Sequence, residues 1–299
     1  MHVDQREWKG DKRMKRAGWE FLCSEKHHRT PFQKIYNDLV EKGKIVSPRG
    51  LKVLEIENYS YILPPFVRFQ NFKVRKLNIG YIKSEILWYL KGDKTDLSIL
   101  NKAKLWGEIV NADGTLNSNY GQYFFGASQQ FQNVVKILRN DRDSRRASIM
   151  FLNEGHLFSD TKDVPCTYSM NFRIRENVLN MSVHMRSQDV IFGMGNDAPA
   201  FSIIHEMMVN ALRRYYPELG YGHYFHIADS FHVYERHFEM LEKLSGKTFV
   251  NRGSKLRPDR YMHILCPKIS GPDEVDFLLG LEYSTIPSEF MFTRWLCGE

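Results

Sequence analysis

Residues 165–197, PCTYSMNFRIRENVLNMSVHMRSQDVIFGMGND, carry the pattern that decides the fold. Aliphatic and aromatic residues fill two runs, 167–174 and 178–186, and the turn residues Glu176-Asn177 stand between them. This arrangement predicts two β-strands that are joined as a hairpin. The second strand ends in the polar cluster Arg186-Ser187-Gln188-Asp189, so the hairpin brings charged side chains to the end of an apolar strand.

The rest of the chain mixes strands and helices without regular alternation. Further strands are predicted at 51–63, 147–152, 223–231 and 260–265, and helices at 80–91, 128–139, from near Pro199 to before Pro217, at 233–244 and at 273–281. Such a mixture favours the α+β class over a doubly wound sheet. We expect a basic tail at 1–30 and a single domain at 31–299.

Composition places few limits on function. The 299 residues are 42% hydrophobic and 26% charged, include no apolar run long enough for a membrane span, and carry a formal net charge of +7. The four cysteines have neither CxxC spacing nor a spacing with histidine that suits a metal, and a reducing cytoplasm is the expected compartment. The positive charge is compatible with nucleic-acid binding or with an enzyme whose ligands are anionic.

Cys166 follows Pro165 directly and opens the first strand of the hairpin. A lone cysteine is most often a small buried hydrophobic residue, so by itself it indicates no function. The polar residues that follow suit chemistry: arginine with a hydroxyl fits a phosphate, a nearby cation favours a thiolate, and an aspartate is able to read the edge of a base. Each feature is weak alone, and their order and spacing are more specific.

Several motifs occur along the chain in a fixed order. They are the helix Glu85–Asp93, Leu105-Trp106, Tyr120-Gly121, Asp143-Ser144-Arg145-Arg146, Pro165-Cys166, Met185-Arg186-Ser187-Gln188-Asp189-Val190, Gly193 and His232-Val233-Tyr234. Together they resemble the thymidylate synthase family over about residues 45–245. The resemblance implies the α+β fold of that family, a mixed β-sheet packed with helices, with the sheets of two subunits back to back in an obligate homodimer.

The resemblance also implies a reaction. In this family a thiolate adds to C6 of a pyrimidine nucleoside monophosphate, and a one-carbon unit from the co-substrate 5,10-methylenetetrahydrofolate is joined to C5. The implied catalytic residues are Cys166 as nucleophile, Glu85 as proton relay, Tyr120 as an aid to proton removal at C5 and Asp197 as base reader. No metal is implied.

The same resemblance assigns residues to the two substrates. The nucleotide is expected to contact Arg186, Ser187, Asp197, His232 and Tyr234 of one subunit and Arg145 and Arg146 of the other. The folate is expected to contact Glu85, Trp106, Asp189 and Gly193. Arg49 is a weaker candidate for a further phosphate contact.

Within the family, three positions resemble the bacteriophage deoxycytidylate hydroxymethylase branch. Thr167 follows the nucleophile where thymidylate synthases have His, Asn196-Asp197 stands where they have Phe-Asn, and Asp163 replaces a Leu that helps to exclude water. These differences favour cytosine over uracil and a hydroxymethyl product over a methyl product. The alternatives are a thymidylate synthase, an enzyme that methylates dCMP, a ribonucleotide (CMP) substrate, and a basic nucleic-acid-binding protein without catalysis.

Overall fold

The computed structural model describes residues 31–158, 160–247, 259, 261–262, 264–281 and 283–299, so the tail predicted at 1–30 lies outside the described residues. The helices are α1 (Pro31–Lys42), α2 (Ile79–Lys91), α3 (Lys104–Ile109), α4 (Gly121–Phe124), α5 (Gln130–Asn140), α6 (Glu154–Phe158), α7 (Gly193–Arg213), α8 (Phe238–Ser245), α9 (Pro272–Gly280) and α10 (Met291–Cys297). The strands are β1 (Lys44–Val46), β2 (Val53–Leu63), β3 (Ser148–Met150), β4 (Thr167–Arg175), β5 (Val178–Asp189) and β6 (Gly220–Tyr234).

The six strands form one mixed sheet in the order β1-β2-β6-β5-β4-β3. Only β5 and β6 are parallel, because the chain crosses from one to the other through α7, whereas all other neighbours are antiparallel. The predicted hairpin of β4 and β5 is confirmed. Glu176 and Asn177 both take positive φ angles, 48° and 60°, as a tight hairpin turn requires.

The two faces of the sheet differ in what covers them. Inward side chains such as Met181, Val183 and Phe231 are buried in an apolar core that continues into α2 and α7. The opposite face leaves Ile62, Phe225 and Ile227 exposed at 51%, 37% and 41%. A mixed sheet with helices against one face places the chain in the α+β class, as predicted.

Helix α7 begins earlier than predicted. The sequence places Pro199 in its first turn, but the helix starts at Gly193, so that residues 193–197 form its first turn instead of a loop. The proline is tolerated there because a helix survives the loss of one main-chain hydrogen bond when packing supports it. In the part of the chain that the structure describes, no helix is both long enough and apolar enough to span a membrane.

Three other predictions need correction. β6 runs on to Tyr234, and a single 3-10 turn at Glu235–His237 delays the following helix to Phe238. The strand predicted at 260–265 is wrong for its described residues, because Tyr261 forms only an isolated bridge with Phe72. The sequence reading also missed α1 and α10, which add Phe32 and Phe292 to the core.

Candidate active site

Cys166 lies at the entry to β4, opposite the end of β5. The Arg186 main-chain N–H donates to the Cys166 carbonyl oxygen at 2.8 Å, which joins the two strands at this point. The Arg186 side chain turns back to the same segment, where Nε donates to the Pro165 carbonyl at 3.0 Å and Nη2 to the Val164 carbonyl at 2.8 Å. Arg186 therefore fixes the two residues that lead into Cys166.

The Cys166 thiol is half-buried and electrostatically coupled to two cations. Burial raises its pKa above the ordinary value, and the positive charges of Arg186 and Arg49 act in the opposite direction. The expected cation is therefore present, but burial outweighs it in the free protein. Arg49, in the 3-10 turn Pro48–Gly50, is near enough to the thiol to affect it.

Glu85 projects from α2 into the core and is 3% exposed. Its Oε1 atom accepts a hydrogen bond of 2.9 Å from the Tyr81 hydroxyl, whose oxygen accepts one of 3.0 Å from Trp106 Nε1. Its Oε2 atom is buried and has no partner at ordinary hydrogen-bond geometry among the described residues, although the Tyr89 hydroxyl is near enough to lower the pKa of the carboxyl. Burial, with a contribution from the charge of Asp197, raises the pKa of Glu85 to about 8. Such a carboxyl is suited to give and take protons near neutral pH.

Asp197 lies in the first turns of α7, is half-buried, and is near enough to Glu85 and Cys166 for its charge to raise the pKa of both. Its Oδ2 atom accepts a hydrogen bond of 3.2 Å from Gln188 Nε2. Burial raises its pKa to about 7, against the stabilising effect of Gln188 and with a smaller contribution from Asp189. A Cβ atom at Gly193 would lie 3.6 Å from Asp197 Oδ2, so glycine leaves this oxygen uncovered on one side.

Tyr120 is placed by a close approach of α4 to α2. A Cβ atom at Gly121 would lie 1.9 Å from the Tyr89 carbonyl oxygen, so only glycine permits this contact. Tyr120 is 5% exposed, and its pKa is raised by burial and by the electrostatic effect of Cys166 and Asp197. The structure thus brings Tyr120 together with the nucleophile and the base-reading residue proposed from sequence.

The ends of β5 and β6 bring the remaining motifs to the same edge of the sheet. Asp189 pairs with His232 in the parallel register, and Ser187 pairs with Ser230. The Asp189 carboxylate accepts hydrogen bonds from the main-chain N–H groups of Ile191 and Phe192 at 3.2 and 3.1 Å, so in this structure it holds the loop before α7. Tyr234 packs edge-on against His232, with ring centroids 5.1 Å apart.

Arg145 and Arg146 do not join this cluster within one chain. Both are exposed in the segment before β3. Neither guanidinium has a hydrogen-bond or ion-pair partner among the residues that the structure describes. Their contact with the nucleotide of another subunit stays a prediction.

Asp163 is 2% exposed, and its carboxylate accepts hydrogen bonds from the main-chain N–H and the hydroxyl of Ser118. Burial raises its pKa. Within the described ranges, no three histidine, cysteine, aspartate or glutamate side chains are grouped so that they could hold a metal ion.

Three polar residues of the site were not singled out from the sequence for any role. Tyr81 lies one helical turn before Glu85, a spacing that could have identified it. Gln188 stands inside the Arg-Ser-Gln-Asp motif, yet its contact with Asp197 depends on the turn into α7. Tyr61, which donates to Gln188 Oε1 at 3.2 Å, is 127 residues away in sequence and gave no local signal.

Comparison with known proteins identifies the family of this chain. The thymidylate synthase family model matches residues 31–259. The deoxycytidylate 5-hydroxymethyltransferase of Enterobacteria phage T6 is 30% identical over 213 residues, covering 68% of this chain and 85% of that protein. The deoxyuridylate hydroxymethyltransferase of Bacillus phage SP01 is 27% identical over 225 residues, covering 68% of this chain and 56% of that protein.

A cellular enzyme is similar to a comparable extent. The thymidylate synthase of Buchnera aphidicola subsp. Acyrthosiphon pisum (strain APS) is 27% identical over 220 residues, covering 70% of this chain and 81% of that protein. These relatives share pyrimidine C5 modification but differ in base and product. With the family model matched over most of its length, the chain belongs to the thymidylate synthase family.

Proposed function

We propose that the protein is a deoxycytidylate 5-hydroxymethyltransferase. The balanced reaction converts dCMP, 5,10-methylenetetrahydrofolate and water into 5-hydroxymethyl-dCMP and tetrahydrofolate. The observation that carries the proposal is the Asp197 carboxylate, which is near enough to Cys166 and Glu85 to raise the pKa of both and stands at the position where thymidylate synthases have an amide. The T6 relative, named for this activity, supports the choice.

Cys166 acts as the nucleophile. Its sulfur forms a bond to C6 of the base, and the electrons of the C5–C6 double bond shift toward the N3 side of the ring, so that C5 becomes nucleophilic. Burial favours the neutral thiol in the free protein. The thiolate is therefore formed in the complex, as the sulfur attacks. Tyr120, electrostatically coupled to Cys166, assists removal of the proton from C5.

Asp197 selects the base through the intermediate. After sulfur addition to cytosine, N3 takes a proton, which the Asp197 carboxyl, with a pKa of about 7, is able to supply. The base then presents N3–H and N4–H side by side, and a carboxylate accepts both. Uracil presents O4 instead of N4–H, and an ionised carboxylate repels it. A buried polar group without a partner costs about 1–3 kcal/mol, and more if charged.

The nucleotide phosphate and sugar bind at the end of the sheet. Nε and Nη2 of Arg186 donate hydrogen bonds to main-chain carbonyls. The other N–H groups of this guanidinium and the Ser187 hydroxyl bind the phosphate. His232 and Tyr234, at the end of β6, hold the sugar hydroxyl. This division lets one arginine fix both the nucleophile and the substrate.

The residues present fit a folate beside the nucleotide. Glu85 has one carboxyl oxygen without an ordinary hydrogen bond to any described residue, and a half-buried indole, Trp106, is joined to the other carboxyl oxygen through Tyr81. An unpaired carboxyl oxygen beside an aromatic surface suits a flat heterocycle that carries N–H groups. Glu85, Trp106, Asp189 and Gly193 are proposed to hold methylenetetrahydrofolate, which supplies the one-carbon unit. Glu85, with its raised pKa, moves protons in the transfer.

The proposed hydroxymethyl product rests on Asp163. A carboxyl group, bonded to Ser118, stands where thymidylate synthases have an apolar Leu that helps to exclude water. A polar environment at this point favours the addition of water to the exocyclic methylene group that C5 carries after tetrahydrofolate has left, over the transfer of hydride to the same carbon. The nearest alternative is a methyl product, from dCMP or, as in a thymidylate synthase, from dUMP.

We also propose that residues 31–299 are one catalytic domain and that two chains form the active unit. The apolar side chains Ile62, Phe225 and Ile227 on the exposed sheet face would be covered by a second sheet. The unpartnered guanidinium groups of Arg145 and Arg146 would then reach the phosphate in the other subunit. A nucleic-acid-binding protein without catalysis is disfavoured, because only the basic tail at 1–30 and the net charge of +7 support it.

Product analysis tests the proposal directly. The purified protein is incubated with methylenetetrahydrofolate labelled in its one-carbon unit and, separately, with dCMP, dUMP or CMP, and the nucleotides are identified by mass. Labelled 5-hydroxymethyl-dCMP is expected. Labelled 5-methyl-dCMP would show that the enzyme methylates dCMP instead of hydroxymethylating it. Turnover of dUMP or CMP alone would show that dCMP is not the substrate.

A further inference from the structure

We propose that Gln188, held by Tyr61, is a positioning residue that presents Asp197 to the base as a fixed hydrogen-bond acceptor and thereby sets the preference for cytosine over uracil. The inference rests on the proposed function, because it concerns the residue that reads the base. It assigns a role to two side chains that neither form a bond with the base nor take part in bond making.

The first step is the geometry of the Gln188 amide. Its Nε2 atom donates to Asp197 Oδ2 at 3.2 Å, and its Oε1 atom accepts from the Tyr61 hydroxyl at 3.2 Å. Gln188 is 2% exposed and Tyr61 is 7% exposed, so water does not compete for these bonds. Because the Tyr61 hydroxyl needs an acceptor, it holds the amide with its NH₂ group toward Asp197.

The second step is the hydrogen-bond chain behind Tyr61. The Tyr61 hydroxyl also interacts with that of Tyr224, which lowers the pKa of Tyr61 as a donor does, and the Tyr224 oxygen lies 2.8 Å from His226 Nδ1. Burial lowers the pKa of His226 to about 3, so the imidazole is neutral and carries one N–H. The rings of Tyr61 and His226 stack at a centroid distance of 4.6 Å, which holds the chain in place.

The third step is the direction of this chain. Tyr61 uses its proton on Gln188, so its oxygen accepts from Tyr224, and the Tyr224 oxygen then accepts from His226 Nδ1–H. The remaining nitrogen, His226 Nε2, is buried and has no partner among the described residues, which agrees with this tautomer. Every donor in the chain points toward Asp197, and the carboxylate is its terminal acceptor.

The groups around Asp197 make the hydrogen bond from Gln188 important for its charge. The titratable groups coupled to Asp197 are acids. Asp189 opposes its ionisation, whereas the charge of Asp197 raises the pKa of the others, which are Tyr61, Tyr81, Glu85, Tyr89, Tyr120, Cys166 and Tyr224. The Gln188 amide is the group that acts in the opposite direction. The amide therefore stabilises the carboxylate that remains once the proton has passed to N3 of cytosine. Without it, the carboxyl keeps its proton, and its O–H matches the O4 atom of uracil instead of accepting from N4–H.

Two variants test the role in different ways. Gln188→Met removes the donor with little change of volume, and Tyr61→Phe removes only the hydroxyl that holds the amide. The matched control is Tyr59→Phe, because Tyr59 lies on the same strand but donates its hydroxyl to Asp38 at 2.8 Å, outside the chain. The kcat/KM for dCMP and for dUMP is measured with methylenetetrahydrofolate in every protein, and thermal unfolding confirms that each is folded.

We expect the dCMP/dUMP ratio of kcat/KM to fall by about 10-fold in Gln188→Met and Tyr61→Phe, as the loss of one hydrogen bond to a charged group implies, and to stay unchanged in Tyr59→Phe. A general loss of structure would lower both values and leave the ratio in place. The dUMP value should also fall as pH rises through the titration of Asp197, and this fall should move to higher pH in both variants.

Asp197→Asn, measured beside them, separates the two proposals. If Asp197→Asn changes the ratio but Gln188→Met and Tyr61→Phe match the control, the positioning role is overturned and the proposed function stands. If Asp197→Asn itself leaves the ratio unchanged, the base reader is wrong and the role of Gln188 is overturned with it. If either Gln188→Met or Tyr61→Phe fails to fold, the ratio measured in the other variant tests the positioning role.

Discussion

Arg186 and Cys166 are joined by main-chain and side-chain contacts at the entry to β4. The Arg186 N–H bonds to the Cys166 carbonyl at 2.8 Å, and its guanidinium bonds to the two residues before Cys166. A planar fork is needed to reach two consecutive carbonyls, and an ammonium group has no such shape. The position of the nucleophile therefore depends on the residue that is also proposed to bind the phosphate.

Arg186→Lys is accordingly expected to impair both functions. The charge remains, but the Val164 and Pro165 carbonyls lose the fork, so we expect kcat to fall and KM for the nucleotide to rise, with a loss of about 100-fold in kcat/KM. The control is Arg175→Lys, since Arg175 also donates to carbonyls, those of Ile174 and Asp143, but lies at the other end of β4. A normal kcat in Arg186→Lys would contradict the positioning of Cys166 by Arg186.

Cys166→Ser is expected to abolish turnover and to leave nucleotide binding largely intact, because the phosphate and sugar contacts are made by other residues. The measurements are steady-state turnover and binding of dCMP by calorimetry. Cys266→Ser is the control, since Cys266 is a half-buried thiol beside Arg68 and Glu206. If Cys166→Ser keeps more than about a few per cent of activity, Cys166 is not the nucleophile.

Sequence was most informative where the pattern is local. The hairpin of β4 and β5, the helix that carries Glu85 and the order of the motifs were all predicted, because strand alternation, turn residues and helical spacing are short-range properties. The start of α7 was not predicted, because the glycines at 193 and 195 are typical of a loop. Packing of the helix against the sheet determines where α7 begins.

Long-range contacts account for what sequence could not predict. Tyr61 and Gln188 meet because β2 and β5 both flank β6, and no spacing in the sequence encodes that meeting. The raised pKa values of Glu85 and Asp197 likewise depend on burial by distant elements. Neither local sequence patterns nor contacts within one chain define the role of Arg145 and Arg146, since their proposed partner is another subunit.

Subunit mixing tests whether these two arginines act across a dimer. The double variant Arg145→Ala/Arg146→Ala and the single variant Cys166→Ser are each expected to be inactive. After subunit exchange, about one quarter of wild-type activity should return, because half of the dimers are mixed and each mixed dimer contains one site without a defect. Exchange is verified by mass or by differently tagged chains. Persistent inactivity of the mixed dimers would show that the arginines act within their own subunit.

Glu85→Gln is expected to lower activity and to raise stability at high pH. The folded pKa of Glu85, about 8, lies above its ordinary value of 4.5, so the folded protein holds a proton that the unfolded chain releases. The contribution of Glu85 to stability is therefore greatest below about pH 4.5 and is lost as pH rises toward 8, by an amount of order 3–5 kcal/mol. Because glutamine is neutral at every pH, the Glu85→Gln variant does not lose this stability as pH rises.

The measurement is urea unfolding of both proteins at about pH 5 and pH 9. Glu85→Gln should be the more stable protein at the higher pH and should lose at least about 1,000-fold in kcat. Glu57→Gln, at an exposed position of β2, is the control and should change neither quantity. Equal pH dependence in Glu85→Gln and wild type would contradict the raised pKa.

Asp197→Asn is the sharpest test of substrate choice. The wild type is expected to prefer dCMP, because the carboxylate accepts both N3–H and N4–H of the cytosine adduct, whereas an amide accepts only one and sets its own donor against the other. The amide instead matches the N3–H and O4 of uracil, so the variant should prefer dUMP. Sites built around such pairs discriminate by up to about 10⁴, and we expect a shift of at least 100-fold in the dCMP/dUMP ratio of kcat/KM. Asn196→Asp, at the adjacent half-buried position of α7, is the control for a change of charge near the site. A wild type that prefers dUMP would return the protein to the thymidylate synthase or deoxyuridylate hydroxymethyltransferase activity of its relatives.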